Sequence, residues 1–214
     1  MEIRYLGWSA FKIIHEQTVV IIDPFDPDKV GLPWEKQSAD IVCVTHNHFD
    51  HNYVEGVEGF GKLINSPGEY EAEGVNVFGI LSFHDEKQGR ERGFNTMYRL
   101  EMGGFCVAHL GDLGTKLTQD QVEDLGSVDV LIIPVGGKYT INYETAAEVV
   151  AQIEPALVIP CHYQVPGVKI EGIDPLEKFL EEMGETGELA RKKLKLTSRS
   201  QLPDETEVVV LVKS

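Results

Sequence analysis

Between positions 45 and 51 the chain reads Thr-His-Asn-His-Phe-Asp-His, which packs four potential metal ligands, His46, His48, Asp50 and His51, into six residues. Only seven histidines occur in 214 residues, so three of them here are more than a polar loop collects by accident. The segment follows the apolar run Ile-Val-Cys-Val at 41–44, which suits a strand buried on both faces. Just past a strand the chain is still extended and side chains two apart point the same way, so His46 and His48 can reach one ion together. Asp50 and His51 are adjacent and diverge unless the chain turns, and a turn aims them at a second position nearby. Imidazole and carboxylate without thiolate suit zinc and also admit manganese, nickel or iron.

The elements that must carry this loop follow from the surrounding pattern. Residues 3–6, 10–15 and 18–22 are short β-rich runs with Glu16-Gln17 as a tight connection, the pattern of an antiparallel meander. Residues 63–64 and 75–83 continue it, separated by Pro67-Gly68 and Gly74; 94–101 and 105–110 form a hairpin around Gly103-Gly104. After Asp112 the rhythm changes. Thr118-x-x-Gln121 caps a helix running to Leu125, 129–135 is a doubly buried strand, 143–153 a helix and 156–161 a strand. Asp174-Pro175 opens a helix to about Met183 with proline at its first position, and 207–212 closes the chain as a strand. Strands dominate the first half and alternating strands and helices the second; two sheets packed together with helices outside satisfy both. Asp40-Ile41-Val42 and Asp129-Val130-Leu131 are faintly alike, too weakly to assign a repeat. The only biased patch is the Gly- and Glu-rich stretch 181–188. Lys193 and Lys195 alternate with Leu194 and Leu196, the pattern of a strand with one solvated face.

Composition narrows the possibilities. A chain of this length fits one domain, 1–214, and buries roughly 70% of its unfolded surface, so a metal is not needed merely to build a core. Lys+Arg total 19 against 35 Asp+Glu, a formal charge of −16 that repels phosphate backbones and anionic membranes and weighs against nucleic-acid partners. Cys43, Cys106 and Cys161 are scattered through apolar runs, which reads as buried thiols in a reducing compartment. No signal peptide and no apolar run near the ~20 residues of a membrane span is visible, so the expectation is a cytoplasmic protein without a membrane partner. A homo-oligomer is compatible with all of this.

One loop cannot close two coordination shells. His84, Asp112 and His162 each stand where a strand-like run ends: after Ile-Leu-Ser-Phe, within Leu110-Gly111-Asp112, and after Val-Ile-Pro-Cys. Glycines beside Asp112 let backbone approach an ion. Singly, each is equally well a hydrogen-bonded structural residue or a turn former.

In this order, the motifs resemble the metallo-β-lactamase superfamily over nearly the whole chain. The resemblance implies an α+β fold, an αββα sandwich of two mixed sheets packed face to face with helices outside. It places one divalent ion on His46, His48 and His84 and a second on Asp50, His51 and His162, with Asp112 bridging. It also gives Asp23, in Ile22-Asp23-Pro24, the task of orienting a ligand histidine; alone, that Asp is equally a strand terminator. Leu110-Gly111-Asp112, Pro134-Val135-Gly136-Gly137 and Pro160-Cys161-His162-Tyr163 look like the branch of ascorbate-6-phosphate lactonase. His109, three residues before Asp112, is a rival to His84, but its apolar run favours a core role. Cys161 faces away from His162. His48 stands where flavo-di-iron members carry Glu, and Asp112 where β-lactamases often carry Cys, which argues against oxygen reduction and antibiotic hydrolysis. Trp8 replaces a histidine common among relatives, removing a polar group.

The chemistry expected is hydrolysis by a water activated between two ions ~3.5–4 Å apart, with Asp50 as ligand and catalytic carboxylate that orients the nucleophile or holds a proton. The substrate expected is a small, anionic metabolite of lactone or ester type. A phosphodiesterase or nuclease of the same superfamily, and a non-catalytic metal-binding protein, are the alternatives. Arg92, with Lys87 and Arg90, is a candidate anion holder; Asn95 and the set Lys138, Tyr139 and Thr140 after Gly136-Gly137 are further substrate candidates. Tyr163 is a candidate oxyanion donor.

Overall fold

In the computed structural model, which describes residues 1–185 and 190–214, the sheets are built from fifteen strands. Along the chain these are β1 (Glu2–Gly7), β2 (Ala10–His15), β3 (Thr18–Ile22), β4 (Gln37–Ser38), β5 (Ile41–Cys43), β6 (Val57–Glu58), β7 (Lys62–Ile64) and β8 (Gly68–Ala72). They continue with β9 (Val75–Phe83), β10 (Phe94–Met102), β11 (Phe105–His109), β12 (Val130–Pro134), β13 (Leu157–Cys161), β14 (Leu194–Lys195) and β15 (Glu207–Val208). The helices are α1 (Pro27–Val30), α2 (Gln119–Leu125), α3 (Tyr143–Ile153) and α4 (Leu176–Glu182).

One sheet runs β14-β1-β2-β3-β5-β7 and the other β15-β13-β12-β11-β10-β9-β8; β4 and β6 pair separately. Both sheets are mixed. The meander and the long β8–β11 ribbon are antiparallel, whereas β3-β5-β7 and β11-β12-β13-β15 are parallel.

Alternation along each strand sorts side chains into layers. Phe11, Ile13, Val20 and Ile22 of the first sheet meet Tyr98, Val107, Val130 and Ile132 of the second in a central core. Leu131 and Ile133 point the other way, under Leu125, Val149 and Phe179 of the helices. Ile21 and Val42 do the same on the far side, under Phe25 and Val30. Strands flanked by apolar neighbours on both faces must themselves be apolar throughout, which is why 41–44 and 130–133 carry no polar residue. The result is the αββα sandwich expected.

Local expectations hold with small shifts. Thr118 and Gln121 exchange both capping-box bonds. Pro175 is the N-cap of α4 rather than its first helical residue, because its ψ of 158° is extended. The closing strand is shorter than 207–212: beyond Val209 the chain leaves β13 and Leu211 pairs with Arg191. β8 was hidden by Pro67-Gly68, which lies at its start rather than marking a loop. All three cysteines are free and buried. Residues 186–188 of the Gly- and Glu-rich patch lie outside the described residues. No helix among the described residues is long and apolar enough to cross a membrane.

Candidate metal centre

Parallel strands present all their carboxyl ends at one rim, where side chains from separate segments can converge. Here β3 delivers Asp23, β5 the 45–51 loop, β11 Asp112 and β13 His162; the antiparallel β9 ends on the same rim and adds His84. Two sets of potential ligands result, His46, His48 and His84, and Asp50, His51, Asp112 and His162, each with its ligand atoms within 4.8 Å of one another. Asp112 lies between them. Its Oδ1 is 3.1 Å from His51 Nε2, and its Oδ2 is 3.2 Å from His84 Nε2, 3.4 Å from His162 Nε2 and 3.7 Å from His46 Nε2.

The fit of these groups to metal can be tested on their unspent hydrogen-bonding capacity. His46 Nε2, His51 Nε2 and Asp112 Oδ1 are buried and have no hydrogen-bond partner, although they face one another. Each such atom costs about 1–3 kcal/mol if nothing bonds to it. Their other ring nitrogens are committed. The Thr45 hydroxyl donates to Asp23 Oδ2 at 2.7 Å, so toward His46 Nδ1 at 3.0 Å it can only accept. That sets the Nδ1–H tautomer and leaves the Nε2 lone pair facing the cluster. His51 Nδ1 donates to the same Asp23 oxygen at 2.8 Å, and Asp23 Oδ1 accepts the Thr45 backbone N–H at 2.8 Å. Asp23 thus orients two histidines, one directly and one through Thr45. It adopts a left-handed backbone (φ 51°) to do so. Such bracing of ligand imidazoles is characteristic of metal sites.

Protonation follows the same geometry. Burial and the neighbouring His51 hold the His46 pKa well below the usual imidazole range; burial lowers that of His48 as well. Burial also opposes charge on His51, but the carboxylates of Asp112, Asp23 and Asp50 outweigh it and raise its pKa well above the ordinary value. For Asp112, burial is outweighed by His162 and His51, which hold the carboxyl well below the usual range.

His109 is not part of the cluster. Its Nε2–H donates to the Ser9 carbonyl at 2.9 Å and its Nδ1 accepts the Gly111 N–H at 3.0 Å, which uses both ring nitrogens of a neutral imidazole. Cys161 faces the inter-sheet core. Gly111 has a different purpose from the one expected. A Cβ there would lie 2.3 Å from Asn95 Oδ1 and 2.7 Å from Thr45 Cβ, so the glycine admits those side chains rather than an ion.

Above the cluster opens a pocket of about 340 Å³ lined by His48, Asp50, His84, Asp112 and Arg92, with Phe49, Tyr139 and Ile170 as its apolar walls. Of the substrate candidates Arg92 and Tyr139 line it. Asn95 does not reach it. Its amide donates to Ser82 Oγ and the Leu110 carbonyl and accepts the Asp112 N–H at 3.0 Å, so it positions Asp112 from below. Tyr163 is buried against Tyr5, 6.5 Å between ring centroids, because the left-handed His162 (φ 52°) sends successive side chains apart. Lys138 donates to the Glu171 carbonyl and Thr140 to that of Ile141; both line a smaller adjoining cavity with His84 and Arg92. Trp8 lies beneath the site: its indole N–H, fully buried, donates to Asp50 Oδ2 at 3.1 Å while its ring packs 4.1 Å from that of His162, so its polar group serves Asp50 and not the pocket. Of the apolar walls, Phe49 lies within the ligand loop itself and Tyr139 stands between Lys138 and Thr140 after Gly136-Gly137; only Ile170 carries no signal in the sequence and is identified by its place in three dimensions.

Comparison with known proteins matches this architecture. The beta-lactamase superfamily domain matches residues 2–162, and the chain belongs to that superfamily. A UPF0173 metal-dependent hydrolase of Methanosphaera stadtmanae is 30% identical over 208 residues, covering 79% of this chain and 87% of the relative. One from Thermococcus onnurineus is 28% identical, covering 88% and 95%. A crystal structure from Thermotoga maritima, assigned as a zinc-dependent hydrolase of the metallo-β-lactamase superfamily, superposes with a TM-score of 0.80 at 34% identity over 98% and 97% of the two chains. The chain is a metal-dependent hydrolase of this superfamily.

Proposed function

We propose that the protein hydrolyses a small anionic carbonyl compound, a lactone or ester, at a dinuclear centre held by His46, His48, Asp50, His51, His84, Asp112 and His162. The observation that carries this reading is Asp112, whose two oxygens face histidines of both clusters at the floor of a pocket sized for a small molecule. The donor set of imidazoles and carboxylates suits zinc first and manganese, nickel or iron after it. When bound, such ions supply Lewis acidity, making water acidic and polarising a carbonyl oxygen.

The chain's own groups do the rest. Asp23 and Thr45 keep the Nε2 atoms of His51 and His46 directed inward. Trp8 fixes Asp50 Oδ2, leaving Oδ1 to orient the attacking water and to hold its proton for the leaving oxygen. Phe49, Tyr139 and Ile170 restrict bulk water, and Arg92 offers a guanidinium on the pocket wall. The likeness to the lactonase branch and the acidic surface support a small anionic metabolite over a polyanion.

The test is turnover by protein reconstituted separately with zinc, manganese and nickel, measured on lactones, carboxylic esters and bis(p-nitrophenyl) phosphate. Hydrolysis of lactones or esters is the expected outcome. Efficient phosphodiester cleavage with no lactone or ester turnover overturns the substrate class, and silence across the panel in metal-replete protein overturns catalysis.

A further inference from the structure

Arg92 stands where two openings meet. Besides the metal-facing pocket, a groove of about 450 Å³ runs outward past Asn47, Asn65, Ser66 and Thr96, and His48 and Arg92 are walls of both. The arginine is held there by a dedicated device. The Asp85 carboxylate, only 3% exposed, accepts the backbone N–H groups of Lys87, Gly89, Glu91 and Arg92 at 2.8, 3.1, 3.1 and 2.8 Å. One buried side chain therefore shapes the whole loop that presents Arg92. The guanidinium lies 5.5 Å over the Tyr139 ring and has no carboxylate partner among the described residues, in a chain whose net charge is −16. A guanidinium positioned and left unpaired beside a reaction centre is suited to grip a carboxylate in a forked contact.

The two openings differ in chemistry. Apart from the candidate ligands and Arg92, the pocket side is walled by Phe49, Tyr139 and Ile170, whereas the groove mixes the amides and hydroxyls of Asn47, Asn65, Ser66 and Thr96 with the apolar Pro67, Leu81 and Phe94. Resting on the ester-hydrolase reading above, we propose that the substrate spans both: an ester joining an apolar acyl group to a polar 2-hydroxy acid. The acyl group packs on Phe49, Tyr139 and Ile170. The carboxylate next to the ester oxygen binds Arg92, and the rest of the hydroxy acid lies in the groove. A carboxylate at that position is the one a shared wall can reach, since it stands one carbon from the bond being cut. Hydrolysis adds water across the acyl C–O bond. The carbonyl carbon gains the hydroxyl, the hydroxy-acid oxygen leaves with the electron pair and takes the proton, and nothing is oxidised or reduced.

The experiment uses metal-loaded protein and 2-O-phenylacetyl-glycerate, its carboxylate methyl ester and its 2-O-acetyl counterpart, with acid release followed at constant pH. Wild type is expected to favour the free carboxylate over its methyl ester about ten- to a hundredfold in kcat/KM, the effect of one charge-assisted contact. It is expected to favour phenylacetyl over acetyl by a similar factor. Arg92→Gln should abolish the first preference and keep the second; Ile170→Ala should do the reverse. Calorimetric binding of the uncleavable ether 2-O-phenylethyl-glycerate gives a readout independent of turnover, and Arg92→Gln should weaken it. Equal rates on acid and methyl ester, or a preference that survives Arg92→Gln, overturns this inference and leaves the ester hydrolase standing. Ether binding that depends on Arg92 with no turnover of any ester keeps the subsite and overturns the hydrolase reading instead.

Discussion

The two halves of the molecule begin their parallel strands alike and end them differently. Ahead of β5, the Asp40 backbone N–H donates to the Val19 carbonyl at 2.9 Å while its carboxylate accepts the Val19 N–H at 2.8 Å. Ahead of β12, Asp129 does the same with Cys106, at 3.0 and 2.8 Å. The faint sequence likeness at these two points is therefore one structural device used twice, a carboxylate that sets the register of a parallel strand pair. At the opposite rim the likeness disappears. In the first half Asp23 and Thr45 brace the Nδ1 atoms of His51 and His46. In the second half His84 Nδ1 and His162 Nδ1 are buried without a hydrogen-bond partner. The scaffold is shared, then, but the preorganisation of the ligands is concentrated in one half.

Asp112 is where the halves meet, and its removal should be the most damaging. Asp112→Ala is expected to lose metal and activity together, by well over the ~10–100-fold that removing a mere ligand-orienting partner costs. Metal analysis and kcat/KM on the same preparation check this; retention of both ions would break the assignment. One step down, Asp23→Asn keeps shape but loses an anion, and should weaken metal binding about 10–100-fold. The same variant has a pH signature in metal-free protein. The raised pKa of His51 stabilises the fold fully below the ordinary imidazole value of 6.5, and this is lost as pH rises through the folded value. His46, His48 and His109, with lowered values, stay neutral when folded, so stability falls as pH drops below 6.5. Denaturant midpoints should therefore peak near that pH, and Asp23→Asn should flatten the alkaline flank alone.

What the sequence disclosed follows this division. The braced half was legible because its candidate ligands sit in one contiguous motif behind one apolar run. Asp112 and His162 were legible only through their order along the chain and the family it resembles, since one acid or one imidazole at a strand end has many ordinary uses. Two of the substrate candidates lie away from the pocket for a geometric reason. Asn95 and Tyr163 stand within two residues of the rim in sequence, but strand alternation and a left-handed residue turn them away from the pocket. Ile170 approaches it with nothing but bulk to announce it. Trp8 was read by its difference from relatives, and a side chain identified only by what it replaces says nothing about where its N–H points.

Within the second half, His84 and His109 separate the two uses of a buried imidazole. His84→Ala should lower metal content at one position with little change in stability. His109→Ala strands the Ser9 carbonyl and the Gly111 N–H, and should cost about 1–3 kcal/mol of stability with metal stoichiometry unchanged. Reversed outcomes would exchange their roles.

The smallest effects test the shared device itself. Asp129 is buried and also carries Arg199 in a forked contact at 2.6 and 2.7 Å, whereas Asp40 is only half-buried and has no such clamp among the described residues. Arg199→Ala leaves the Asp129 charge uncompensated, yet the Arg199 side chain is 61% exposed, so water screens much of the loss and the drop in denaturant midpoint should be small. Asp40→Asn retains an acceptor for the Val19 N–H and should cost less still, a few tenths of a kcal/mol on the scale of a modest hydrogen-bond change. Neither should alter metal content, because both lie at the strand starts, a full strand length from the ligands. A metal deficit in either variant would mean that strand register, and not only the braces at the rim, sets the geometry of the centre.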